Sequence, residues 1–237
     1  AARIVELDND GNQDLAVTIL GALVIAAGDG EGRFAIRACI PTSNDTMSLA
    51  AADADLDGDL DIYVCAHKAD DLSHDAGVGS IASSEGFVYH DANNAAANIL
   101  FRNDIPVGGE WTFTDVTKES GLDQNNRRFS FAAAWEDYDQ DGDADLYVAN
   151  DFGRNNLYRN DEGHFTDVAA TAGVEDIASG MSAVWGDYNR DGLADIYIGN
   201  MFSGAGGRVT FQRRVSEGQS DQTVPHLQRM ARGNTLF

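Results

Sequence analysis

Four short apolar stretches recur along the chain, and a polar, acidic segment of nine residues precedes each of them. The apolar stretches occupy residues 15–17, 62–64, 146–148 and 196–198. Their short length, their β-branched and aromatic side chains and the turn residues beside them predict β-strands. Each acidic segment is therefore expected to be a loop that leads into a strand.

The region between the third and fourth acidic segments predicts a complete set of strands. Apolar or alternating runs at 129–135, 146–149, 156–160 and 164–168 are separated by turn-forming residues. Four short strands joined by turns predict one blade of a β-propeller. The first unit repeats parts of this pattern at 22–26 and 34–36, on either side of the glycine turn 28–32. The second unit repeats them at 98–103 and 111–116, and the fourth at 233–237.

The predicted fold class is all-β, a β-propeller of four-stranded antiparallel blades. The acidic segments begin at residues 6, 53, 137 and 187, and two of the three intervals are about 50 residues, a period typical of propellers and solenoids. About four blades are predicted, at approximately 1–45, 46–120, 121–174 and 175–237, the last one incomplete. Long insertions at approximately 66–97 and 200–233 interrupt the second and fourth blades. Because four blades are only the lower end of the usual range of about four to eight, we expect part of a larger propeller, of about seven blades or a similar number.

The acidic segments share one motif, with a carboxylate first, Asp or Asn third, Asp-Gly at the fifth and sixth positions and Asp ninth. Carboxylates at alternate positions repel one another, so a compact loop that presents several of them needs a cation. The logic of calcium loops assigns side-chain oxygens to positions 1, 3, 5 and 9 and a main-chain carbonyl to position 7. The predicted ligands are Glu6, Asp8, Asp10, Asn12 (carbonyl) and Asp14; Asp53, Asp55, Asp57, Asp59 (carbonyl) and Asp61; Asp137, Asp139, Asp141, Asp143 (carbonyl) and Asp145; and Asp187, Asn189, Asp191, Leu193 (carbonyl) and Asp195.

Calcium is the cation that this donor set favours. The loops contain no Cys or His, and a set of oxygen donors alone favours calcium, magnesium or manganese over zinc or copper. Calcium accepts about six to eight oxygens in flexible geometry, whereas magnesium demands a near-ideal octahedron. An EF-hand would need a Glu at the twelfth position, which Val17, Val64, Val148 and Ile198 occupy here. About four calcium ions are therefore predicted, and a solvated acidic turn is the alternative for any single loop.

These motifs resemble a known family of repeats. The Asp-x-Asp-x-Asp-Gly-x-x-Asp-Leu-Tyr-Val loops, the Asn-x-Leu-Tyr-Arg-Asn strand and the Gly-x-Phe-Thr-Asp-Val strand are similar to the FG-GAP/VCBS repeats of integrin-α-like propellers. More narrowly, residues 180–188 and 229–234 resemble bacterial proteins related to cartilage acidic protein, which carry an ASPIC/UnbV region. The resemblance implies a calcium-stabilised propeller at an extracellular, cell-surface or periplasmic location.

Charge and composition exclude some functions. The net charge is −23, and the four loops hold 17 of the 39 acidic residues. Such an acidic chain is not expected to bind nucleic acid, which requires basic patches. The longest uncharged apolar stretch, 15–28, is too short to span a bilayer. Cys39 and Cys65 lie in predicted strands of neighbouring units, where a disulfide and two buried free thiols are both consistent with the sequence.

The two insertions carry the remaining candidate chemistry, because long loops on a rigid scaffold are usual recognition sites. The first insertion, at 67–94, contains His67, His74 and His90 with Asp70, Asp71, Asp75 and Asp91, which form either a transition-metal site or a solvated polar loop. The second contains Arg208, Arg213, Arg214, Arg229 and Arg232. Three roles are open for these arginines: binding an acidic glycan, binding the carboxylates of a partner protein, or pairing with neighbouring acids.

The leading prediction is a non-catalytic binding or adhesion module with structural calcium, whose partner is a protein or a glycan. Trp135, Trp185, Tyr138 and Tyr188 recur beside the loops, and recurrence in register favours packing between blades over sugar stacking. One alternative is a polysaccharide lyase or hydrolase in which Asp70, Glu85 or Asp91 is catalytic, although the sequence contains no catalytic motif. Another is a structural subunit of a surface assembly that associates through an open blade edge.

Overall fold

In the described part of the chain, twelve strands form three four-stranded antiparallel sheets, and three further strands form a fourth sheet. The computed structural model describes residues 1–67, 91–106, 109–210 and 223–237. Each sheet is a blade, and its strands lie side by side in chain order. The strands of blade 1 are β1 (Ala2–Val5), β2 (Asp14–Ile19), β3 (Ala22–Gly28) and β4 (Phe34–Pro41); those of blade 2 are β5 (Thr46–Ala52), β6 (Asp61–Ala66), β7 (Ile99–Asn103) and β8 (Phe113–Asp115). Blade 3 contains β9 (Ser130–Glu136), β10 (Asp145–Asn150), β11 (Asn156–Asp161) and β12 (His164–Asp167), and blade 4 contains β13 (Gly180–Gly186), β14 (Asp195–Asn200) and β15 (Thr235–Leu236).

The blades pack face to face in chain order. The first strands of the blades are neighbours, with β1 beside β5, β5 beside β9 and β9 beside β13. They line a common cavity of about 490 Å³, whose walls include Ile4, Ala50, Ala134 and Val184. The chain therefore has the architecture of a propeller, as the repeat pattern predicts.

Apolar side chains from adjacent blades form the core. Leu23 and Ile25 of blade 1 pack in one cluster with Ile62 and Val64 of blade 2. Tyr63 of blade 2 packs in a second cluster that includes Leu146 of blade 3. Tyr147 and Leu157 pack in a third cluster with Ile196 and Ile198 of blade 4. The alternation of side chains along each strand thus places one apolar row between each pair of blades.

The sequence did not predict the short helices that occur among the described residues. They are α1 (Ala169–Ala172), which follows β12, and α2 (Gly204–Val209) and α3 (Thr223–Met230) in the insertion of blade 4. They are one or two turns long, which is too short for a helical period to be visible in the sequence. No helix in the described part of the chain is long and apolar enough to cross a membrane.

The two cysteines are not joined. Both are free thiols, and Cys65 is buried whereas Cys39 is exposed on the outer strand β4. The structure thus contains no Cys39–Cys65 disulfide, and the expectation of a buried thiol is correct for Cys65 only. Burial raises the pKa of the Cys65 thiol to about 12, so this side chain behaves as an apolar core residue.

Candidate metal centre

Each acidic loop connects the first and second strands of its blade, as predicted. The four loops also share a backbone conformation. The fourth residue is left-handed in every loop, at Asn9 (φ 58°), Leu56 (62°), Gln140 (63°) and Arg190 (64°). The sixth residue is a glycine with positive φ in every loop, at Gly11, Gly58, Gly142 and Gly192. A non-glycine residue in this region is uncommon, so the repetition identifies one loop structure built four times.

The carboxylates of the loop organise its backbone. In the third loop Asp137 accepts hydrogen bonds from the amides of Asp141 (3.1 Å) and Gly142 (3.0 Å). Asp141 in turn accepts from the amide of Asp143 at 3.0 Å. The fourth loop repeats the first two contacts, from Asp191 and Gly192 to Asp187. The main chain therefore folds around its first carboxylate.

Three loops bring carboxylate oxygens close enough to share one ion. The oxygens in each group lie within 4.8 Å of one another, and the groups are Glu6–Asp8–Asp10, Asp53–Asp55–Asp57 and Asp137–Asp139–Asp145. Among the described residues, the fourth loop forms no such triad of acids. Its third position is Asn189, whose side chain contacts Asp191 at 2.9 Å. The structure thus supports three acidic clusters that could hold a metal ion, whereas the individual ligand assignments remain predictions.

The charge environment of these clusters fits a cation. Oxygen Oδ1 of Asp53 is buried and has no hydrogen-bond partner among the described residues, a costly arrangement for a carboxylate. Burial and the neighbouring Asp57 raise the pKa of Asp55, and burial and Asp141 raise the pKa of Asp139. All donors in these clusters are oxygens, and one of them is buried and unpaired. Such a donor set is suited to a hard cation such as calcium.

The ninth-position aspartates connect the loop to the sheet, a role that the motif did not reveal. Asp145 is fully buried and accepts from the amides of Tyr138 (3.1 Å) in its loop and Asn160 (2.8 Å) in the third strand of its blade. Asp14 and Asp61 make the same pair of contacts in blades 1 and 2. Burial raises the pKa of Asp61 and of Asp145 to about 7.

Two buried asparagines join neighbouring loops. The amide nitrogen of Asn160 donates to the carbonyls of Ala54 (2.9 Å) in the second loop and Ala144 (3.1 Å) in the third. That of Asn103 donates to Leu7 (2.8 Å) in the first loop and Leu60 (3.3 Å) in the second. Asn103 is the last residue of β7 and Asn160 is the residue before the last in β11. Each follows an arginine, and this recurring Arg-Asn pair was the available sequence signal. The first three loops therefore form one connected layer.

The comparison with known proteins agrees with this geometry. A family model described as FG-GAP-like repeat matches residues 7–64 and 137–198, which together contain most of the four second strands and nearly all of the four loops. The chain belongs to the FG-GAP-like repeat family. No curated protein was found to match it.

The aromatic residues beside the FG-GAP-like loops pack between blades, with one exception. Trp135 packs edge-on against Tyr63 (ring centroids 6.3 Å apart), and Trp185 packs against Tyr147 and Tyr138. The prediction of blade packing is therefore correct for Trp135, Trp185 and Tyr138. Tyr188 is different, because 78% of its surface is exposed.

The first insertion of the FG-GAP-like propeller is fixed at both described ends. His67 lies 3.3 Å from Asp151 of blade 3, and its ring contacts Phe129 and Phe131. Asp91 accepts from Arg128 at 2.8 Å and from Arg154 at 3.2 Å. Burial acts to raise the pKa of Asp91, but the two guanidinium groups hold it below its usual value. His74, His90, Asp70, Asp71, Asp75 and Glu85 lie outside the described residues.

One arginine of the second insertion has an acidic partner. Arg229 donates to the buried Asp176 at 2.8 Å. For this arginine, the role observed is therefore pairing with a neighbouring acid. Arg208 and Arg232 form no ion pair among the described residues. Arg213 and Arg214 lie outside the described residues. The basic concentration is thus internal in part, through Arg229.

Proposed function

We propose that this FG-GAP-like propeller is a non-catalytic, calcium-binding module outside the cytoplasm, which binds a protein or a glycan through its insertions. The observation that carries the proposal is the set of three carboxylate triads within 4.8 Å, each on the same loop backbone. Extracellular fluid contains calcium at about millimolar concentration, where even weak extracellular sites are filled. The narrower relationship, to bacterial proteins related to cartilage acidic protein, is part of the same proposal and rests on residues 180–188 and 229–234.

A structural role for calcium fits the contacts of the loop acids. Asp137 and Asp145 already hold backbone amides of the loop and the sheet, so a cation among them would fix the loop that joins two strands. The loops also contact one another, because Gln140 donates to the carbonyl of Gly192 at 2.9 Å. An ion bound here would therefore stabilise the packing of blades.

Ligand binding is assigned to the opposite end of the blades, where the second and third strands connect. His67 and Asp91 anchor the described ends of the first insertion to blade 3. Arg208 and Arg232 are exposed cations in the second insertion and suit an acidic glycan or acidic side chains. A general-acid role for Asp91 is disfavoured because two guanidinium groups hold it ionised, whereas a general acid needs a raised pKa.

Replacement of Asp139 by Asn tests the metal centre. The variant should bind calcium at least about tenfold more weakly, because one charged ligand becomes neutral. In chelator it should be at least as stable as the wild type, because the repulsion between Asp139 and Asp141 is removed. Calorimetric titration with calcium and thermal unfolding in chelator measure the two effects.

Asp123→Asn is the matched control, because Asp123 is an exposed acid outside the loops. It should change neither the calcium affinity nor the stability by a comparable amount. Equal calcium binding by the wild type and Asp139→Asn would disprove the assignment of this loop. A glycan and surface-protein array, probed with the calcium-loaded chain and an Arg232→Glu variant, tests the binding role separately.

A further inference from the structure

The indole of Trp185 lies in a site formed by three groups of the preceding blade. Tyr138 stacks on it with ring centroids 6.5 Å apart and planes 14° apart. Tyr147 contacts it edge-on at 6.1 Å and 88°. The indole N–H donates to the main-chain carbonyl of Ala134 at 3.2 Å. Two tyrosines and one carbonyl of blade 3 therefore recognise a tryptophan of blade 4.

Blade 4 carries the same three groups on its other face. Tyr188 and Tyr197 occupy the loop and strand positions of Tyr138 and Tyr147. Val184 pairs with Tyr197 across β13 and β14, as Ala134 pairs with Tyr147 across β9 and β10. We call Tyr188, Tyr197 and the Val184 carbonyl the blade 4 cage.

The blade 4 cage shares two supports with the occupied site. The amide of Tyr188 donates to Asp195 at 2.8 Å, as the amide of Tyr138 donates to Asp145. The hydroxyl of Tyr197 contacts the side-chain amide of Asn234, as that of Tyr147 contacts Asn155. Each tyrosine is thus held by a contact equivalent to one that holds its counterpart, although the hydrogen bond from the Tyr147 hydroxyl to the Val174 carbonyl is not repeated among the described residues.

No described residue covers this cage. Tyr147 is fully buried, whereas Tyr197 is 41% exposed and Tyr188 is 78% exposed. Val184 and Leu236, which flank Tyr197 in the sheet, are 58% and 44% exposed. Leu157, the counterpart of Leu236 in blade 3, is 1% exposed. The face is therefore a packing surface of the kind that is buried at each interface within the chain.

We propose that the blade 4 cage binds the indole of another propeller blade, on a first strand with tryptophan two residues before its acidic loop. That indole would stack on Tyr188, meet Tyr197 edge-on and donate to the Val184 carbonyl. The described interfaces support this occupant, because tryptophan and tyrosine occur together. Tyr63 faces Trp135 and Tyr147 faces Trp185, whereas blade 1 has Ala16 at the tyrosine position and blade 2 has Ala51 at the tryptophan position.

The chain itself offers a test, because blade 1 has Ile4 at the tryptophan position. Ile4 is 65% exposed and lies two residues before Glu6, as Trp185 lies two residues before Asp187. In the Ile4→Trp variant, the new indole on blade 1 of one copy should bind the blade 4 cage of another copy. Sedimentation velocity in calcium should show head-to-tail association tightened on the order of tenfold over the wild type, since buried aromatic anchors dominate such contacts.

Two further variants identify the surface. Tyr188→Ser with Tyr197→Ser, added to Ile4→Trp, should return the association to the wild-type level. Leu20→Ser, added to Ile4→Trp, is the control, because Leu20 is 93% exposed in a turn of blade 1. It should leave the association of Ile4→Trp unchanged. If Ile4→Trp lacks the cooperative unfolding transition of the wild type, Ile4→Phe takes its place with a smaller expected increase.

The outcomes decide the proposal. Association that survives loss of both tyrosines overturns it, as does a folded Ile4→Trp chain that associates no more tightly than the wild type. If the wild type associates as strongly as Ile4→Trp, a second copy covers the face of blade 4 without an indole. That result also overturns the proposal. Calcium affinity is measured separately, so a failure here is distinct from a failure of the proposed function.

Discussion

Removal of calcium is expected to lower the midpoint of thermal unfolding by about 15 °C or more. A site filled at about 100 times its dissociation constant adds about 2.7 kcal/mol to the free energy of unfolding. Three acidic triads lie on loops that are joined through Asn103 and Asn160, so their contributions should act on one folded unit. For a chain of this size, about 1 kcal/mol corresponds to about 2–4 °C.

The measurement compares millimolar calcium with excess chelator, and magnesium is present in both samples. Magnesium in both arms removes general effects of divalent charge, so a difference reports calcium alone. A rise in the midpoint confined to the calcium sample would support structural calcium sites. Coincident unfolding curves would show that the loops are stable without calcium, and the proposed role of the ion would be wrong.

The substitution Asn160→Ala should be among the most destabilising single changes at the loops. Asn160 is fully buried, its nitrogen donates to Ala54 and Ala144, and its oxygen accepts from the amide of Gly163 at 2.8 Å. The alanine variant leaves two buried carbonyls and one amide without this partner. Each such loss costs about 1–3 kcal/mol, so urea denaturation should show a loss of about 3–5 kcal/mol in the free energy of unfolding.

Asn93→Ala is the control for this prediction, because Asn93 is exposed in the insertion of blade 2. It should change the free energy of unfolding by less than about 0.5 kcal/mol. Asn103→Ala should resemble Asn160→Ala, since Asn103 makes the equivalent contacts one blade earlier. A loss at Asn160 no larger than at Asn93 would show that the loop-to-loop hydrogen bonds do not stabilise the native state.

The acidic loops could be predicted from the sequence because all of their relevant contacts are local. Asp137 and Gly142 are five residues apart, and the hydrogen bond between them is set by that spacing. The strands were predictable for the same reason, since apolar alternation follows directly from strand geometry. The function of Asn160 was not predictable, because its partner Ala54 is 106 residues away in the chain.

Residues at the same position of the repeated motif also differ in their surroundings. Tyr138 and Tyr188 occupy the same loop position, and the sequence predicts the same packing for both. Tyr138 stacks on the tryptophan of the next blade, whereas no described residue covers Tyr188. A repeat fixes the conformation of a residue, but its burial depends on which neighbour follows.

The bridging asparagines also bear on how the ions would fill the loops. Asn160 contacts the main chain of the second and third loops at once, and Asn103 contacts the first and second. An ion that orders one loop would reduce the entropy still to be lost by the next. Occupancy of adjacent loops is therefore expected to be positively cooperative and reciprocal, with the loops titrating as a linked array rather than as separate sites.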